Sequence, residues 1–412
     1  MRADTEVRWV PVREAGDVRM GKQLSPTSRN AAGQFPYLRV ANVHLGRIDY
    51  ADVNTMSFSG RERETYGLKP GDILLNEGQS LELVGRSAIY EGADGEYYFQ
   101  NTLVRFRPNG QVLSAYAQVI FERWLARGVF AAIAKQTTSI AHLGGERFAA
   151  LEFPLLPLAD QGRIVAVIDA VTAQERAIEA SIAKLRSVRA GLLLSTASSM
   201  AGGADVGDGV DALGNVLLGI EAGRSPDLPD VPAAVGGWGV LKVSAVHVDG
   251  FRPRENKMML SGMVNARYQV HPGDLIISRA NTPELVGSAC IVTESDFRLL
   301  LSDKTLRLVV NPKMADVRYV NACLSMPNVR AQIVNSASGS SLSMQNVNQR
   351  SIERLIIPKL NLSEQIKFAD RIDSCDALIG EERRKLAKLR AVKRGLVDDL
   401  LASGGADQRS GL

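Results

Sequence analysis

The sequence is poor in residues that metal centres and exported proteins depend on. Only three of its 412 residues are cysteines, Cys290, Cys323 and Cys375, and no two of them form a CxxC pair. Thiols spaced this widely indicate buried, reduced cysteines rather than a zinc site or a disulfide framework. The chain has only four histidines, so a histidine-rich metal centre is not expected.

Long apolar runs are also missing. No stretch approaches the ~18 apolar residues of a membrane-spanning helix, and the N-terminal MRADTEVRWV lacks the apolar core of a signal peptide. We therefore expect a cytoplasmic protein that neither spans a membrane nor is secreted. The net charge of +4 is compatible with nucleic-acid binding but does not require it.

Signatures of catalysis are incomplete. Gly16–Lys22 has the GxxxxGK frame of a phosphate-binding loop, but Gln23 follows where that loop needs Ser or Thr, so we interpret it as a turn. His44 and His247 have no nearby carboxylate-rich partner, and we expect structural or DNA-facing roles for them. Without a Gly-rich cofactor loop or an Asn/Asp-Pro-Pro-aromatic stretch, the sequence predicts no methyl-donor site.

The clearest positive feature is a repeat of domain size. PGDILL at Pro70–Leu75 returns as PGDLII at Pro272–Ile277, and ELVG follows both at the same offset of 202. An offset of 203 pairs Arg39–His44 with Lys242–His247 and Thr102-Leu103 with Thr305-Leu306, and an offset of 204 pairs Gln161 with Gln365. The chain is therefore two copies of one unit of about 200 residues, far longer than solenoid repeats.

Each copy opens with a β-rich domain. Residues 7–150 contain short apolar runs bounded by Gly, Pro and Asn, such as YLRVANVHL and NTLVRFRPNG, which predict half-buried strands. A helix is predicted over Ser114–Lys135, with a counterpart around Val317–Asn335. Each copy is thus expected to hold a compact α+β domain.

Residues 158–194 and 362–401 carry a different pattern, in which apolar residues recur in steps of four and three. Such spacing over four or more heptads predicts coiled-coil helices. Each apolar seam needs a partner, so we expect the two helices to pack antiparallel, with polar interruptions at Glu175, Arg189, Glu382 and Lys393. The predicted helix-pairing residues are Ile164, Ile168, Val171, Ile178, Ile182, Leu185 and Leu192 in the first helix, and Phe368, Ile372, Cys375, Ile379, Leu386, Leu389 and Leu396 in the second.

These patterns predict an α+β chain of six segments. Two duplicated α+β domains are separated by long helices that form an antiparallel coiled coil, and the segment between the copies is rich in Ser, Gly and Ala, which favours a flexible linker. The predicted boundaries are 1–152 for the first domain, 153–197 for the first helix, 198–210 for the linker, 211–356 for the second domain, 357–402 for the second helix and 403–412 for a flexible tail.

The ends of the long helices carry a family resemblance. The helices start with PLLPLADQGRIVAVIDAV (Pro154–Val171) and PKLNLSEQIKFADRID (Pro358–Asp373), and they end with LRSVRAGLL (Leu185–Leu193) and LRAVKRGLV (Leu389–Val397). Together with the PGDILL/PGDLII and ELVG phrases, this set resembles the specificity subunit of type I restriction-modification systems. The resemblance covers almost the whole chain.

The resemblance implies a DNA reader without catalytic activity. Each domain would be a target-recognition domain for one half of a split double-stranded DNA sequence, and the helices would set the spacer. Two modification subunits, which bind S-adenosylmethionine and methylate adenine, would dock on this scaffold, and restriction–translocation subunits, with ATP and Mg²⁺, would complete the complex. This chain itself would hold no cofactor or metal. A helix of about 36 residues spans roughly 54 Å, more than one DNA turn of about 34 Å.

Candidate DNA-contacting residues lie where the two copies diverge. Arg, Lys, Asn and Gln read base edges best, with Ser and Thr as adaptable partners, and we expect them in loops. Arg and Lys also suit phosphate contacts, which position a protein without specifying sequence. The candidates are Lys22, Gln23, Arg29, Gln79, Ser80, Gln136, Thr137 and Thr138 in the first domain, and Arg224, Ser225, Arg279, Asn281, Ser340, Ser341 and Gln345 in the second.

Three alternatives stay open. The same fold could serve another DNA-modifying defence complex, or the chain could be a coiled-coil scaffold without DNA affinity. Asp230, Glu255 and Lys257 imitate the carboxylates and lysine of a Mg²⁺-dependent nuclease, although the first copy has no equivalent. Cleavage by the purified chain alone would favour that alternative, and a salt-dependent binding titration would separate a DNA reader from a scaffold.

Overall fold

The structure, a computed structural model, describes residues 7–136, 139–198, 209–341 and 344–402. Most of the predicted linker, residues 199–208, and the predicted tail, residues 403–412, lie outside the described residues. The described residues form two compact units, one made of the chain up to Ile178 and from Lys385 onward, the other of Glu179–Arg384. In the described part of the chain, no helix is both long and apolar enough to cross a membrane.

The first α+β domain is built from short strands and short helices. Its helices are α1 (Val12–Ala15), α2 (Pro26–Asn30), α3 (Gly60–Tyr66), α4 (Ser114–Ala126), α5 (Val129–Ile133) and α6 (Gly145–Ala149), and the long helix α7 (Leu158–Ser198) follows. Its strands are β1 (Arg8–Pro11), β2 (Gly16–Met20), β3 (Gln34–Leu38), β4 (Val43–His44), β5 (Arg47–Ile48), β6 (Asn54–Ser57), β7 (Ile73–Asn76), β8 (Gly78–Gln79), β9 (Ser87–Ile89), β10 (Tyr98–Phe99), β11 (Leu103–Pro108), β12 (Lys135–Gln136), β13 (Ala141–His142) and β14 (Glu152–Leu155).

The second copy repeats this inventory of strands. They are β15 (Val210–Ala212), β16 (Leu217–Ala222), β17 (Trp238–Leu241), β18 (Val246–His247), β19 (Gly250–Phe251), β20 (Asn256–Met258), β21 (Leu275–Ser278), β22 (Ala280–Asn281), β23 (Ala289–Ile291), β24 (Arg298–Leu300), β25 (Thr305–Val310), β26 (Ser338–Ser341), β27 (Met344–Asn346) and β28 (Ile356–Pro358). Its helices are α8 (Val317–Leu324), α9 (Pro327–Ser336), α10 (Gln349–Glu353) and the long α11 (Leu362–Ala402).

The sheets match strand for strand between the copies. The central antiparallel sheet has the order β2-β11-β7-β9 in the first copy and β16-β25-β21-β23 in the second. Three-stranded sheets β10-β3-β6 and β12-β13-β8 correspond to β24-β17-β20 and β26-β27-β22. The predicted duplication is confirmed, with one correction. Leu103 lies opposite Asn76 and Thr305 opposite Ser278, so the offset of 203 predicted for Thr102-Leu103 is wrong by one residue.

The repeated PGD and ELVG phrases hold the central strands in place. Gly71 and Gly273 adopt φ of 91° and 94°, a region that favours glycine. The following aspartates each bind an arginine of the middle strand, with Asp72 on Arg107 at 2.6 Å and Asp274 on Arg307 at 2.7 Å. At Gly85, an added Cβ would lie 2.2 Å from the ring of Phe130. The backbone contacts the core so closely at this position that only glycine fits, which explains why the ELVG phrase recurs.

The main core of each domain lies between the central sheet and the shorter helices. In the first copy, Phe106 of β11 contacts the rings of Phe121, Phe148 and Phe153 at centroid distances of 5.2, 6.4 and 6.5 Å. The second core is largely aliphatic. All three cysteines are buried and unpaired, and burial raises the pKa of the Cys290 and Cys323 thiols to about 12, which keeps these thiols inert.

The predicted helices after the central sheet are each broken in two. Ser114–Lys135 divides into α4 and α5 because Gly128 adopts a left-handed φ of 74° between them. In the second copy, Pro327 starts α9 two residues after α8 ends, and a proline cannot continue the preceding helix. The prediction of one continuous helix is therefore wrong in both copies.

A buried glutamine fastens each long helix to its own α+β domain. Gln161 Oε1 accepts the Leu113 backbone N–H at 2.8 Å, and its Nε2 donates to the backbone oxygens of Gln111 and Leu156, both at 2.8 Å. Gln161 is 0% exposed. The amide thus satisfies three buried or partly buried backbone groups.

The same anchor recurs in the second copy. Gln365 accepts the Asp316 N–H at 3.0 Å and donates to the oxygens of Met314 and Leu360 at 3.2 and 2.9 Å. A tyrosine strengthens each junction, since the Tyr116 and Tyr319 hydroxyls donate to the carbonyls before the helices.

The long helices pack antiparallel, as predicted. In the first unit, the Lys393 ammonium donates to Thr172 at 2.8 Å and to Glu175 at 3.1 Å. In the second unit, Arg189 pairs with Asp376 at 2.7 Å. In the first unit, therefore, early residues of α7 meet late residues of α11. In the second unit, late residues of α7 meet early residues of α11. The polar interruptions Glu175, Arg189 and Lys393 form ion pairs.

The predicted helix-pairing residues lie on the covered sides of α7 and α11. Leu193, which the heptad pattern did not include, is only 5% exposed and belongs to the core of the second unit. The buried members of the predicted set are Ile164, Ile168, Ile182, Phe368, Ile372, Cys375, Ile379 and Leu386, and the half-buried members are Val171, Ile178, Leu185, Leu192, Leu389 and Leu396.

The anchors lead to a first prediction. Replacing Gln161 or Gln365 by leucine keeps the size of the side chain but removes the partner of three buried or partly buried backbone groups. We expect each change to lower the free energy of unfolding by about 1–3 kcal/mol, measured by chemical denaturation. Lys367→Gln, an exposed change on α11, serves as the control. Stabilities of Gln161→Leu and Gln365→Leu equal to that of the control would contradict the anchor.

A second prediction concerns pH. Burial alone would raise the pKa of Asp398, but hydrogen bonds from Arg123 and Arg127 outweigh it and lower the pKa. The stabilisation by this carboxylate is therefore present above its unfolded pKa and is lost as the pH falls through the lower folded value. Asp398→Asn should cost about 0.5 kcal/mol at pH 7, a small amount because the carboxylate is partly exposed. Denaturation at pH 3 should show a smaller difference, and an undiminished one would contradict this assignment.

Candidate nucleic-acid interface

Several candidate DNA-contacting residues lie on a small sheet at the edge of each domain. In the first copy, Gln79 is on β8 and Gln136 on β12. In the second, Asn281 is on β22 and Gln345 on β27, while Ser340 and Ser341 belong to β26. The expectation that these residues lie in loops is therefore wrong, because each lies within a β-strand.

Strand register sorts the first sheet into two faces. Gln79 and Gln136 lie opposite Ala141, whereas Lys135 and Gly78 lie opposite His142. Residues directly opposite one another project to the same face. Ala141 is fully buried, but Lys135 and Gln136 are both exposed and His142 and Gln79 are both half-buried, so each face presents polar side chains.

Sequence reasoning missed the His142 position. The His142 Nδ1 lies 3.0 Å from Glu77 Oε2, and the Glu77 side chain is only 14% exposed. The Arg147 guanidinium donates to the backbone oxygens of Ile133 and His142 at 2.7 and 2.6 Å. The imidazole is thus held at one nitrogen while the other is free to meet a ligand. Only the pairing of β13 with β8 brings Glu77 and His142 together, so periodicity gave no signal.

The second copy offers different chemistry at the same places. By register, Asn281 occupies the position of Gln79, Gln345 that of Ala141, and Asn346 that of His142. Arg279 occupies the position of Glu77, and its side chain is exposed with no hydrogen bond or ion pair among the described residues. An acidic–imidazole pair in one copy thus corresponds to arginine and amides in the other. The central sheets, in contrast, share one topology.

The remaining candidates are spread over the domain surfaces. Ser80 is exposed at the start of the turn that carries ELVG, and Arg29 is exposed near the end of α2. Gln23, Arg224 and Ser225 are also exposed. Thr137 and Thr138 lie outside the described residues, as do the side chains of Ser340 and Ser341.

Lys22 has an internal role instead. Its ammonium donates to the Ser57 carbonyl and to Glu62, both at 2.8 Å, and lies 4.9 Å from the centre of the Phe58 ring. The hydrogen bond from Lys22 lowers the pKa of Glu62. The Lys22 ammonium is already paired, and its side chain is only 13% exposed. Lys22 therefore has a structural role in place of the predicted DNA contact.

The nuclease-like residues do not form a vacant metal site. The Lys242 ammonium lies 2.9 Å from Asp230 and 4.0 Å from Glu255, and Ser244 also donates to Glu255 at 2.6 Å. The hydrogen bond from Lys242 lowers the pKa of Asp230. In the ranges that the structure describes, no three His, Cys, Asp or Glu residues are grouped so as to hold a metal ion.

Comparison with known proteins agrees with this geometry. Residues 6–186 match the model of the family described as "Type I restriction modification DNA specificity domain". The chain is 27% identical over 190 residues to the type I restriction enzyme EcoEI specificity subunit of Escherichia coli, a match that covers 46% of this chain and 32% of that protein. It is 26% identical over 174 residues to the putative type I restriction enzyme MjaX specificity subunit of Methanocaldococcus jannaschii, which covers 40% of each.

The matched segments thus span less than half the length of these relatives. Solved structures extend the likeness at the level of fold. The type I restriction-modification S subunit from M. genitalium has a TM-score of 0.56 at 10% identity, covering 98% of this chain and 97% of its own. A chain from a structure on complex assembly of the type I R-M system has a TM-score of 0.59 at 18% identity, covering 96% and 97%. The family model thus matches the first copy, and the same sheets and anchors are repeated in the second copy.

Proposed function

We propose that this chain is the non-catalytic DNA-recognition subunit of a type I restriction-modification complex. Each copy reads one half of a bipartite double-stranded target. The proposal rests on the contrast between features that the two copies share and positions at which they differ. Sheets, turns and helix anchors are the same in both copies, whereas the small edge sheets present different polar groups.

The chemistry of those groups supports two distinct half-sites. Arg279 and Asn281 suit guanine and adenine edges, because guanidinium and amide groups make paired hydrogen bonds to these bases. Lys135 and His142 offer cationic or donor groups from the first copy. Of these two residues, we assign the phosphate contact to Lys135. Such a contact positions the protein on DNA without specifying sequence.

The long helices supply separation and docking surface in this proposal. A helix of 41 residues is about 60 Å long at 1.5 Å per residue, beyond one DNA turn of about 34 Å. Two adenine-methylating modification subunits would dock on the scaffold, with restriction–translocation subunits completing the complex. S-adenosylmethionine, ATP and Mg²⁺ would be bound by those partners, and this chain would hold no cofactor itself.

A third prediction tests one reader per copy. With the modification subunit present, the double variant Arg279→Ala and Asn281→Ala should relax or abolish one half-site, at about 1–3 kcal/mol for each lost paired contact. Lys135→Ala with His142→Ala should weaken the other half-site. Mapping of methylated adenine reads out both, and Arg254→Ala, an exposed arginine elsewhere in the second copy, is the control. Equal weakening of both half-sites by either double variant would contradict the proposal.

A fourth prediction tests the helices as a ruler. Thr172 lies opposite Lys393 and Arg189 opposite Asp376, so Arg176–Ile182 and Arg383–Leu389 are matched heptads. Deleting both shortens each helix by about 10 Å, or roughly three base pairs at 3.4 Å each, and rotates one reader around the duplex. We expect unchanged half-sites with a shorter spacer, or loss of binding.

Single deletions serve as the matched control for this experiment. Removing one heptad alone puts the seams out of register and exposes apolar surface, so each single deletion should be worse than the pair. Methylation mapping at full activity with an unchanged spacer would show that the helices do not set the distance.

A further inference from the structure

The first unit contains an open cavity beside Ala115, at a position where the second copy carries an arginine. The cavity has a volume of about 740 Å³ and lies between the β4–β5 hairpin, α4 and the long helices. Ala115 of α4 and Asp169 of α7 line it. All of its lining residues belong to the first unit.

Arg318 is the residue of the second copy that corresponds to Ala115. The equivalence follows from the anchors, since Tyr116 and Tyr319 donate to matching carbonyls and the residues just before them are Ala115 and Arg318. The Arg318 guanidinium contacts three carboxylates, those of Asp370 at 2.8 Å, Asp373 at 2.9 Å and Asp316 at 3.0 Å. Together these pairs raise the pKa of Arg318.

The first copy keeps one of these carboxylates without the arginine. Because Gln161 matches Gln365, Asp169 corresponds to Asp373. The exposed Asp169 side chain makes no hydrogen bond or ion pair among the described residues. The same carboxylate that binds a guanidinium in the second copy thus faces an open cavity in the first.

The rest of the lining favours a cation. Four acidic residues, Glu91, Glu96, Glu122 and Asp169, face the cavity. Of the three basic ones, Lys393 is held by Glu175 at 3.1 Å, and Arg47 lies 4.0 Å from Asp49. Arg176 is the third, and it makes no ion pair among the described residues. The cavity is thus lined by four carboxylates and by one basic residue that is not paired elsewhere.

An aromatic pair completes the lining. The rings of Tyr50 and Tyr97 lie 5.1 Å apart, and Tyr50 is 40% exposed. A guanidinium binds well over such ring faces. Burial and the neighbouring Tyr97, Glu96 and Glu91 raise the pKa of Tyr50, which agrees with a negative field in this cavity.

We propose that this cavity receives an arginine from a protein partner, which does from outside what Arg318 does within the second copy. The partner is an arginine-bearing segment of a modification subunit, and in this respect the inference rests on the proposed function. The two copies would then hold their modification subunits through different contacts. The first copy would need the partner's arginine, whereas in the second copy the equivalent carboxylate, Asp373, is already paired with Arg318.

Two variants test this site. Asp169→Asn removes the carboxylate with little change in shape, and Ala115→Arg installs the second copy's own residue in the cavity. Binding of the modification subunit to the full chain is measured by titration calorimetry and native mass spectrometry. We expect two sites in the wild type, with one weakened about tenfold or more in both variants and the other unchanged. Glu294→Gln, which removes an exposed carboxylate from the second copy just after β23, is the control.

The outcomes separate this inference from the proposed function. DNA binding is measured on the same samples, and its absence in the wild type would count against the proposed function. If the wild type binds DNA and modification subunits but both variants assemble as it does, the arginine site is wrong. A wild-type chain that dimerises, with the dimer lost in Ala115→Arg, would assign the cavity to a second copy of this chain instead. Failure of Ala115→Arg to fold leaves the decision to Asp169→Asn.

Discussion

The buried amide at the start of each long helix is the constraint on which the architecture depends. Gln161 and Gln365 each join their helix to three backbone groups of the chain that precedes it, and a neighbouring tyrosine hydroxyl closes the same junction. An unmade hydrogen bond at such a buried place is costly, so the domain cannot easily turn on its helix. A rigid junction is what a protein needs if its helices are to hold a reading surface in place.

Duplication lets one scaffold serve two targets. Residues that hold the backbone in shape recur in the second copy, where Gly287 corresponds to Gly85 and Asp274 to Asp72. Positions that face outward are free to change because they carry no packing load. The same logic applies beside the helices, where Arg318 closes its carboxylate cluster and Ala115 leaves a cavity open.

Several features of the molecule were predictable because they follow from local pattern. The heptad spacing predicted both long helices and their antiparallel packing, and the repeated phrases predicted two α+β domains. The breaks that Gly128 and Pro327 cause in the shorter helices were not predicted, because the apolar spacing continues past both residues. Lys22 was assigned to DNA because its charge was visible and its partner Glu62, forty residues away, was not.

By itself, the sequence determined the duplication, the fold class and the helix pairing, since each rests on spacing or on ordered motifs along the chain. Only the tertiary structure decided which polar residues share a surface. The pairing of β13 with β8 brings His142 to Glu77, and the packing of α8 on α11 brings Arg318 to Asp373. Such contacts join residues 55 or more positions apart, and no local periodicity encodes them, because they depend on strand register and on how helices meet.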